Sequence, residues 1–156
     1  MPSRFGNRPP RLALVFAPTP LYFVTFCTYR HMPWLACDSV HAAFVRFSNR
    51  AGRDHNIAVG RYVIMQDHAH LFVCGDQEFI LGQWIGHLKQ ALGKAAKRSR
   101  LKARIWQEGC FDHLLRNDES YSQKWNYVRE NPVRAGLAKN WEDWPYQGEI
   151  VYIDRV

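Results

Sequence analysis

The sequence predicts an α+β domain of the ferredoxin-like or RRM-like type, with an antiparallel sheet, helices on one face and a further C-terminal helix. Alternating segments rich in aromatic and β-branched residues have strand length, and segments with helical apolar spacing separate them. Their order is strand, helix, strand, strand, helix, strand, which is the βαββαβ pattern. The 156 residues are enough for one such domain with its own core. A sheet packed on one face leaves the other face open to a ligand.

The first strand and helix come early in the chain. Residues 21–29 (LYFVTFCTY) alternate and are rich in aromatic and β-branched side chains, which is typical of a strand. Asp38 or Ser39 can cap a helix that runs to about His55. Its apolar stripe recurs at helical spacing and consists of Val40, Ala43, Phe44 and Phe47.

A hairpin and a second helix are predicted next. Residues 57–65 and 68–74 are two strands joined by the short turn Gln66–Asp67. A helix then runs from Glu78 to about Lys97. Its apolar residues recur every three or four positions and are Leu81, Trp84, Ile85, Leu88 and Leu92.

The last third of the chain predicts a fourth strand at residues 110–116 and a long helix after it. Asn117 or Asp118 would cap this helix, which ends near Pro132 because proline lacks the amide proton that a helix needs. The tail, residues 140–156, is aromatic and is expected to pack on the body. The domain is predicted to span residues 21–147, between a proline-rich basic arm at 1–20 and a short tail at 148–156.

The charge balance favours a polyanionic partner. The chain has 21 Lys and Arg residues against 14 Asp and Glu residues, a formal net charge of +7. Much of the excess lies between Glu78 and Glu108, where no acidic residue occurs. This stretch predicts a surface that binds a nucleic-acid backbone, with Trp106, Phe111 and His113 available to stack on unpaired bases. Its basic residues are Lys89, Lys94, Lys97, Arg98, Arg100, Lys102 and Arg104. A solvated helix face is the alternative.

Several classes of protein are excluded by what the sequence lacks. There is no apolar run of about 18 residues, so a membrane span is not expected. The apolar run after the first arginines is too short for a signal peptide, and the four cysteines form no CxxC pair, so we expect a cytoplasmic protein. No Walker A, GxGxxG, GxSxG or HExxH motif occurs, so no nucleotide cofactor is expected.

Two histidines form the sharpest candidate site. His68 and His70 are two residues apart on a predicted strand, so both imidazoles point to the same face. Their separation along the strand, about 6.7 Å, suits two ligands of one divalent ion when the rings turn inward. Two half-exposed strand histidines without a metal are the alternative.

Tyr127 and Asn131 form a second candidate site, on the last helix. They are four residues apart and so share one helix face. The Asn131 amide oxygen is an acceptable ligand for a hard ion such as Mg²⁺, and tyrosine can act as a covalent nucleophile. Tyrosines ordinarily ionise only near pH 10, so this one would need help from a cation or metal. Alternatively, Tyr127 is a core residue beside a helix-capping asparagine.

Other residues compete for the catalytic roles. Tyr121 is a rival nucleophile, but it lies six residues before Tyr127 and therefore on a different helix face. Asp67 and Asp112 are candidate general bases, although deprotonation assisted by the metal is the simpler expectation.

Four segments together resemble one known family. They are YFVTFCTYRHMPWL (22–35), MQDHAHLFV (65–73), IWQEGCFDHLLRNDESY (105–121), and YVRENPVRAGL (127–137) with the following WEDWPY (141–146). In these motifs the chain resembles the single-tyrosine HUH transposases and, among them, the REP-associated tyrosine transposases. REP denotes a repetitive extragenic palindrome. The resemblance covers about residues 21–147, and Gln66 stands where many members have proline.

The resemblance implies a function and a role for each site residue. His68 and His70 would be the paired histidine ligands of a divalent ion, Mg²⁺ or Mn²⁺, with Asn131 as the third ligand and Tyr127 as the nucleophile. The enzyme would cleave and rejoin single-stranded DNA near hairpins through a 5′-phosphotyrosyl intermediate, as a monomer or homodimer. It would act on DNA in a prokaryotic cytoplasm, at the nucleoid, with no membrane partner.

Two other functions stay open from the residues alone. One is a non-catalytic module that binds single-stranded nucleic acid on an RRM-like sheet. The other is a metal-dependent phosphoesterase that uses water, with Tyr127 in a structural role.

Overall fold

The computed structural model describes residues 20–98, 103–116 and 119–155. The predicted arm before residue 20, the predicted cap residues Asn117 and Asp118, and two of the predicted basic residues, Arg100 and Lys102, lie outside these ranges. Five strands and four α-helices follow in chain order within the described residues: β1 Tyr22–Cys27, α1 Asp38–His55, β2 Ala58–Ile64, β3 His68–Cys74, α2 Leu81–Ala95, β4 Phe111–Leu114, α3 Tyr121–Val128, α4 Asn131–Arg134 and β5 Gln147–Glu149.

The strands form one antiparallel sheet in the order β4-β1-β3-β2-β5. β3 lies between β1 and β2, which α1 connects, so the predicted split βαβ arrangement is confirmed. β3 extends over the predicted residues, and the hairpin with β2 forms as expected. β5 was not predicted as a strand. Its residues, Gln147–Glu149, pair with β2, so the predicted domain end at residue 147 lies inside this strand.

One face of the sheet packs against α1 and α2. The alternate residues Val24 and Phe26 of β1 and Leu71 of β3 are fully buried, together with Phe44 of α1 and Leu88 of α2. These are the positions that strand alternation and helical spacing assign to the core. The predicted helix-covered face is therefore confirmed.

The opposite face is only partly open, which differs from the expectation of a free face. Tyr121, Trp125 and Val128 of α3 pack there against Phe72 of β3, in a second buried cluster. Ile153 of the tail is buried in the same cluster, so the tail packs on the body as expected. The spacing of the apolar residues in α3 predicts that one side of this helix is apolar. It does not show which face of the sheet that side covers.

The last helix is shorter than predicted and is broken before the proline. α3 begins after Ser120, whose hydroxyl accepts a hydrogen bond from the Gln123 amide at 3.1 Å, and ends at Val128. Asn131 is therefore not in the final turn of that helix but is the first residue of the short α4. Pro132 explains the break, because it has no N–H to continue the ladder of α3 and its fixed φ suits the first turn of a new helix.

The second helix also begins later than predicted, at Leu81 rather than Glu78. The Asp76 carboxylate accepts a hydrogen bond from the Glu78 amide at 3.0 Å, which holds the preceding residues in a turn. Among the described residues, no helix is both long enough and apolar enough to cross a membrane.

Thr28 joins the end of β1 to the turn before β3. This residue is fully buried, and its amide donates to the Asp67 carbonyl at 2.9 Å. Its hydroxyl lies 2.8 Å from the Met32 carbonyl and 3.1 Å from the Asp67 carbonyl, both of which can accept its proton. One side chain thus fixes two loops that border His68.

We expect Thr28→Val to lower the free energy of unfolding by about 1 kcal/mol, because it removes the hydroxyl hydrogen bonds that join the two loops, while both carbonyls keep a backbone amide donor. Ser48→Ala is the matched control. Ser48 is also fully buried, but its hydroxyl has no partner among the described residues, so its removal should be neutral or stabilising. Urea denaturation of both variants measures the difference; equal losses would contradict the role given to Thr28.

Candidate active site

The two histidines of β3 lie side by side on the face opposite α1 and α2. In the sheet register His68 is paired with Cys27 of β1, and His70 with Thr25. Their rings make an edge-to-face pair with centroids 4.8 Å apart. Strand alternation therefore brings the two imidazoles together as the sequence predicts.

His70 is held by β1. Its Nδ1 lies 2.7 Å from the Thr25 hydroxyl, and its ring stacks on Phe23 with centroids 5.4 Å apart. Burial lowers the pKa of His70 to about 3, and the positive charges of His68, Lys124 and Arg134 add to this effect. The imidazole is therefore neutral at physiological pH, which is the form that binds a metal.

His68 is held by the residue before it. Its Nδ1 lies 2.7 Å from one Asp67 carboxylate oxygen, and His31 Nδ1 lies 3.2 Å from the other. Burial acts to raise the pKa of Asp67, but the hydrogen bond and charge of His68 outweigh it, so the pKa lies below its usual value. A carboxylate with a low pKa is a weak base, so this geometry favours Asp67 as an orienting partner of His68 over a general base.

The donor atoms of the pair suit a metal ion. In each ring Nδ1 is engaged by an oxygen, which leaves Nε2 as the nitrogen that can face a ligand, as in metal sites where the second nitrogen is fixed by an outer partner. The described residues contain no group of three or more His, Cys, Asp or Glu side chains that could hold a metal. A third protein ligand would therefore have to be of another type, such as an amide oxygen.

Tyr127 and Asn131 belong to different helices but share one partner. The Arg134 guanidinium lies over the Tyr127 ring, 4.2 Å from its centroid, and donates to the Tyr127 carbonyl at 2.8 Å. The same guanidinium donates to the Asn131 amide oxygen. Arg134 thus holds the two residues together across the break between α3 and α4.

The two candidate tyrosines differ sharply in accessibility. Tyr127 is 67% exposed, whereas Tyr121 is only 3% exposed. The Tyr121 hydroxyl accepts a hydrogen bond from the Arg61 amide at 2.9 Å, and burial strongly raises its pKa. Only Tyr127 is free to meet a substrate, which agrees with the preference drawn from helical spacing.

Electrostatics connect α3 and α4 to the histidine pair. The Lys124 ammonium lies 5.0 Å from the centroid of Phe23, the ring on which His70 stacks. Lys124 and Arg134 are also the two fixed cations that depress the pKa of His70. One cation from α3 and one from α4 therefore act on the same histidine of β3.

The predicted basic surface is only partly formed by the residues assigned to it. Lys94, Lys97 and Arg104 are exposed, and Arg98 is half-buried with its guanidinium 5.2 Å from the centroid of Trp34. The assignment of Lys89 is wrong, because this side chain is only 8% exposed and its ammonium donates to the carbonyls of residues 107 and 109. Lys89 holds a loop and does not reach a phosphate.

Of the three aromatic residues predicted to stack on bases, one is free to do so. Phe111 is 65% exposed on β4. Trp106 packs edge-on against Phe26 and Trp34, with centroids 5.6 and 4.9 Å apart. His113 pairs with the Glu119 carboxylate, 2.9 Å away.

Three residues of the site were not anticipated from the sequence. Thr25 could be found only from the β1–β3 register, and His31 only from the turn that brings it to Asp67. Arg134 could have been found from the sequence, because it lies three residues after Asn131 and so about one helical turn away.

Two curated relatives resemble the chain over part of their length. The REP-associated tyrosine transposase of Escherichia coli strain K12 is 28% identical over 97 residues, which are 60% of this chain and 55% of that protein. A Haemophilus influenzae protein assigned to the same group is 31% identical over 96 residues, 53% of each. The chain thus spans about half the length of the curated relatives it matches, and the resemblance drawn from the motifs is confirmed.

Two solved structures share the fold. One is a REP-associated tyrosine transposase bound to a REP hairpin, with a TM-score of 0.67 and 22% identity over 82% of this chain and 75% of that one. The other, assigned as a transposase of Deinococcus radiodurans, has a TM-score of 0.51 and 12% identity over 74% of this chain and 92% of that one. No protein-family model matches the chain.

The lowered pKa of His70 predicts an acid-dependent loss of stability. The folded chain holds this imidazole neutral down to about pH 3, whereas an unfolded histidine takes up a proton near pH 6.5. Stability is therefore fully present above about pH 6.5 and is lost as the pH falls below it. We expect the urea concentration at the unfolding midpoint, measured in EDTA, to decrease when the pH is lowered from about 7.5 to about 5.5.

His70→Gln should reduce this slope, because glutamine keeps polar atoms but does not titrate. Part of the slope should remain, because burial also lowers the pKa of His41. An unchanged slope in His70→Gln would contradict a neutral, buried His70.

Proposed function

We propose that this chain is a metal-dependent HUH-type endonuclease and strand transferase that cleaves and rejoins single-stranded DNA near REP-like hairpins. Its similarity to proteins named REP-associated tyrosine transposases supports this proposal, and so does a fold neighbour that is bound to a REP hairpin. The chain's own residues supply the rest of the argument.

One observation carries the proposal, namely that Arg134 contacts both Tyr127 and Asn131 and is close enough to the histidine pair to act on it electrostatically. It contacts the ring and carbonyl of Tyr127 and the amide oxygen of Asn131, and its charge acts on His70. A phenol that is 67% exposed is not needed by a core, and the apolar packing of α3 is done by other residues. This supports Tyr127 as a reacting group rather than a structural one.

The residues present fit a divalent ion such as Mg²⁺ or Mn²⁺. His68 and His70 would hold it through Nε2, and Asn131 through its amide oxygen, which has a second lone pair beside the one that Arg134 uses. When bound, the ion would polarise a non-bridging oxygen of the scissile phosphate and stabilise the charge that develops on it.

Tyr127 would attack the scissile phosphorus in line with the 3′ oxygen. The phenol gives up its proton as a bond forms between its oxygen and phosphorus, and the bond from phosphorus to the 3′ oxygen breaks. The leaving 3′ oxygen takes up one proton, so the step neither consumes nor releases a proton. The 5′ phosphate then remains on Tyr127. Because the phosphodiester energy stays in the tyrosyl bond, a second 3′-hydroxyl can reverse the step and join strands without a nucleotide cofactor.

The exposed cations are proposed to hold the DNA backbone. Lys94, Lys97, Arg98 and Arg104 are accessible to phosphates, and Arg100 and Lys102 are proposed for the same role from their sequence position. Since one chain supplies the tyrosine, the asparagine and both histidines, a monomer is sufficient for the proposed reaction. Its place of action would be the DNA of a prokaryotic cytoplasm.

We expect a covalent adduct when the protein is incubated with Mn²⁺ and a 5′- and 3′-labelled single-stranded hairpin DNA. The 5′-phosphate of the cut strand should remain on the protein in denaturing gels. Tyr127→Phe should abolish the adduct, because phenylalanine has no oxygen to attack the phosphorus.

Tyr121→Phe is the matched control, because it removes a buried hydroxyl that only accepts from a backbone amide. It should keep the adduct and lose about 1 kcal/mol of stability. Cleavage that persists in Tyr127→Phe would instead support a phosphoesterase that uses water. Binding without any cleavage would support a non-catalytic nucleic-acid module.

Mn²⁺ binding by titration calorimetry tests the proposed ligands without activity. His68→Ala and His70→Ala should each abolish measurable binding. Thr25→Val should weaken it by about tenfold, because the hydroxyl that orients His70 is lost. His55→Ala, at the exposed end of α1, should leave binding unchanged; unchanged binding in the β3 variants would exclude the pair as ligands.

A further inference from the structure

A strained turn follows β1. Residues Tyr29–His31 form a 3-10 turn in which Arg30 has φ 51° and ψ 32° and His31 has φ 55°. Both residues therefore lie in the left-handed region, which is unfavourable for side chains other than glycine. Two successive strained residues persist only where the surrounding structure imposes them, and such positions cluster at functional sites.

The surrounding structure does impose this turn. The Tyr29 amide donates to the Ile105 carbonyl at 3.0 Å, and the Met32 amide donates to the Tyr29 carbonyl at 3.2 Å. The buried Thr28 holds the other side through its bonds to the carbonyls of Met32 and Asp67. The turn is thus built on rigid partners and does not need arginine or histidine at its strained positions.

The turn presents an aromatic ring among cations. The guanidinium of Arg30 lies 5.2 Å from the centroid of the Tyr29 ring, and that of Arg104 lies 5.7 Å from it. Both arginines are exposed and Tyr29 is half-buried. Neither guanidinium has an acidic partner among the described residues within salt-bridge distance. An aromatic face with unpaired cations suits a nucleotide, because the base can stack and the phosphates can take the charge.

This turn also borders the histidine pair. His31 reaches one oxygen of the Asp67 carboxylate, and His68 reaches the other. A DNA strand that crosses His68 and His70 would therefore pass close to the Tyr29 turn, because only the Asp67 carboxylate separates His31 of the turn from His68.

We propose that Tyr29, Arg30 and Arg104 form a subsite for one unpaired nucleotide of the DNA strand, next to its scissile phosphate. The inference rests on the proposed function, since it requires a nucleic-acid strand at the histidine pair. The base stacks on the Tyr29 ring, and the two arginines pair with its flanking phosphates. A base within a duplex cannot offer its face to such a ring, so the subsite selects an unpaired nucleotide.

The first test measures affinity alone, in EDTA and with Tyr127→Phe as the background, so that no cleavage occurs. Fluorescence anisotropy reports binding of a labelled single-stranded DNA in which a hairpin carries an unpaired tail. Tyr29→Leu should weaken binding by about tenfold, while Tyr29→Phe, which keeps the ring, should bind as the background does. The same measurement is then made with a set of DNAs, each of which has one abasic site at a different position of the tail. At one position, Tyr29→Leu and the background protein should bind with equal affinity, because the base that stacks on Tyr29 is missing.

The second test uses the backbone strain. Arg30→Gly should weaken DNA binding and leave the melting temperature unchanged or higher, because glycine tolerates the left-handed conformation. Asn56→Gly is the control, because Asn56 has φ 55° at the end of α1, away from the site, and should keep its affinity. A lower melting temperature together with weaker binding would show that Arg30 is structural and would overturn its role.

The outcomes separate this subsite from the proposed reaction. If the wild-type chain forms the covalent adduct and the Tyr29→Leu variant binds DNA normally, the subsite is overturned and the proposed function is kept. A chain that forms no adduct but depends on Tyr29 for binding would overturn the function and keep a nucleotide subsite. Absence of binding by the background protein would overturn the subsite, and the adduct assay with Mn²⁺ would then decide on the function alone.

Discussion

The antiparallel register between β1 and β3 is the constraint on which the site depends. It sets Thr25 opposite His70 and Cys27 opposite His68, so β3 supplies both imidazoles and β1 orients that of His70. A slip by one residue would turn both histidines towards α1 and α2 and expose the alternating apolar residues. The register is fixed because Val24 and Phe26 are completely buried under those helices. The core therefore determines the geometry of the site through strand alternation.

The two histidines have different polar and charged neighbours. His68 contacts a carboxylate, whereas His70 contacts a hydroxyl and feels two nearby cations. The same cations, Lys124 and Arg134, are suitably placed to attract a phosphate. Burial is the main reason that the His70 imidazole stays unprotonated, and a surface that favours a polyanion adds to this effect. An unprotonated imidazole is what metal binding requires.

Most of the sheet could be predicted because its signals are local. β3 begins at His68 and ends at Cys74 as expected, since a turn precedes it and its residues alternate or are continuously apolar. The sequence does not reveal the break between Tyr127 and Asn131, because a proline can either end a helix or begin a second one. The enclosure of Lys89 is equally hidden. A charge run in sequence does not reveal that one of its members is enclosed by a loop. Thr25 and His31 depend on contacts between distant segments, which periodicity cannot detect.

The residues that orient the site and the residues proposed to react differ in their coupling to the fold. Thr28 and Tyr121 are buried and satisfied by backbone groups, so their loss affects stability first. Tyr127 and Arg30 are exposed, and neither contributes to the two apolar clusters. An exposed aromatic ring and a strained exposed arginine add nothing to the core that a smaller residue could not provide. The proposed contact with a strand of nucleic acid therefore explains these two side chains better than the requirements of folding do.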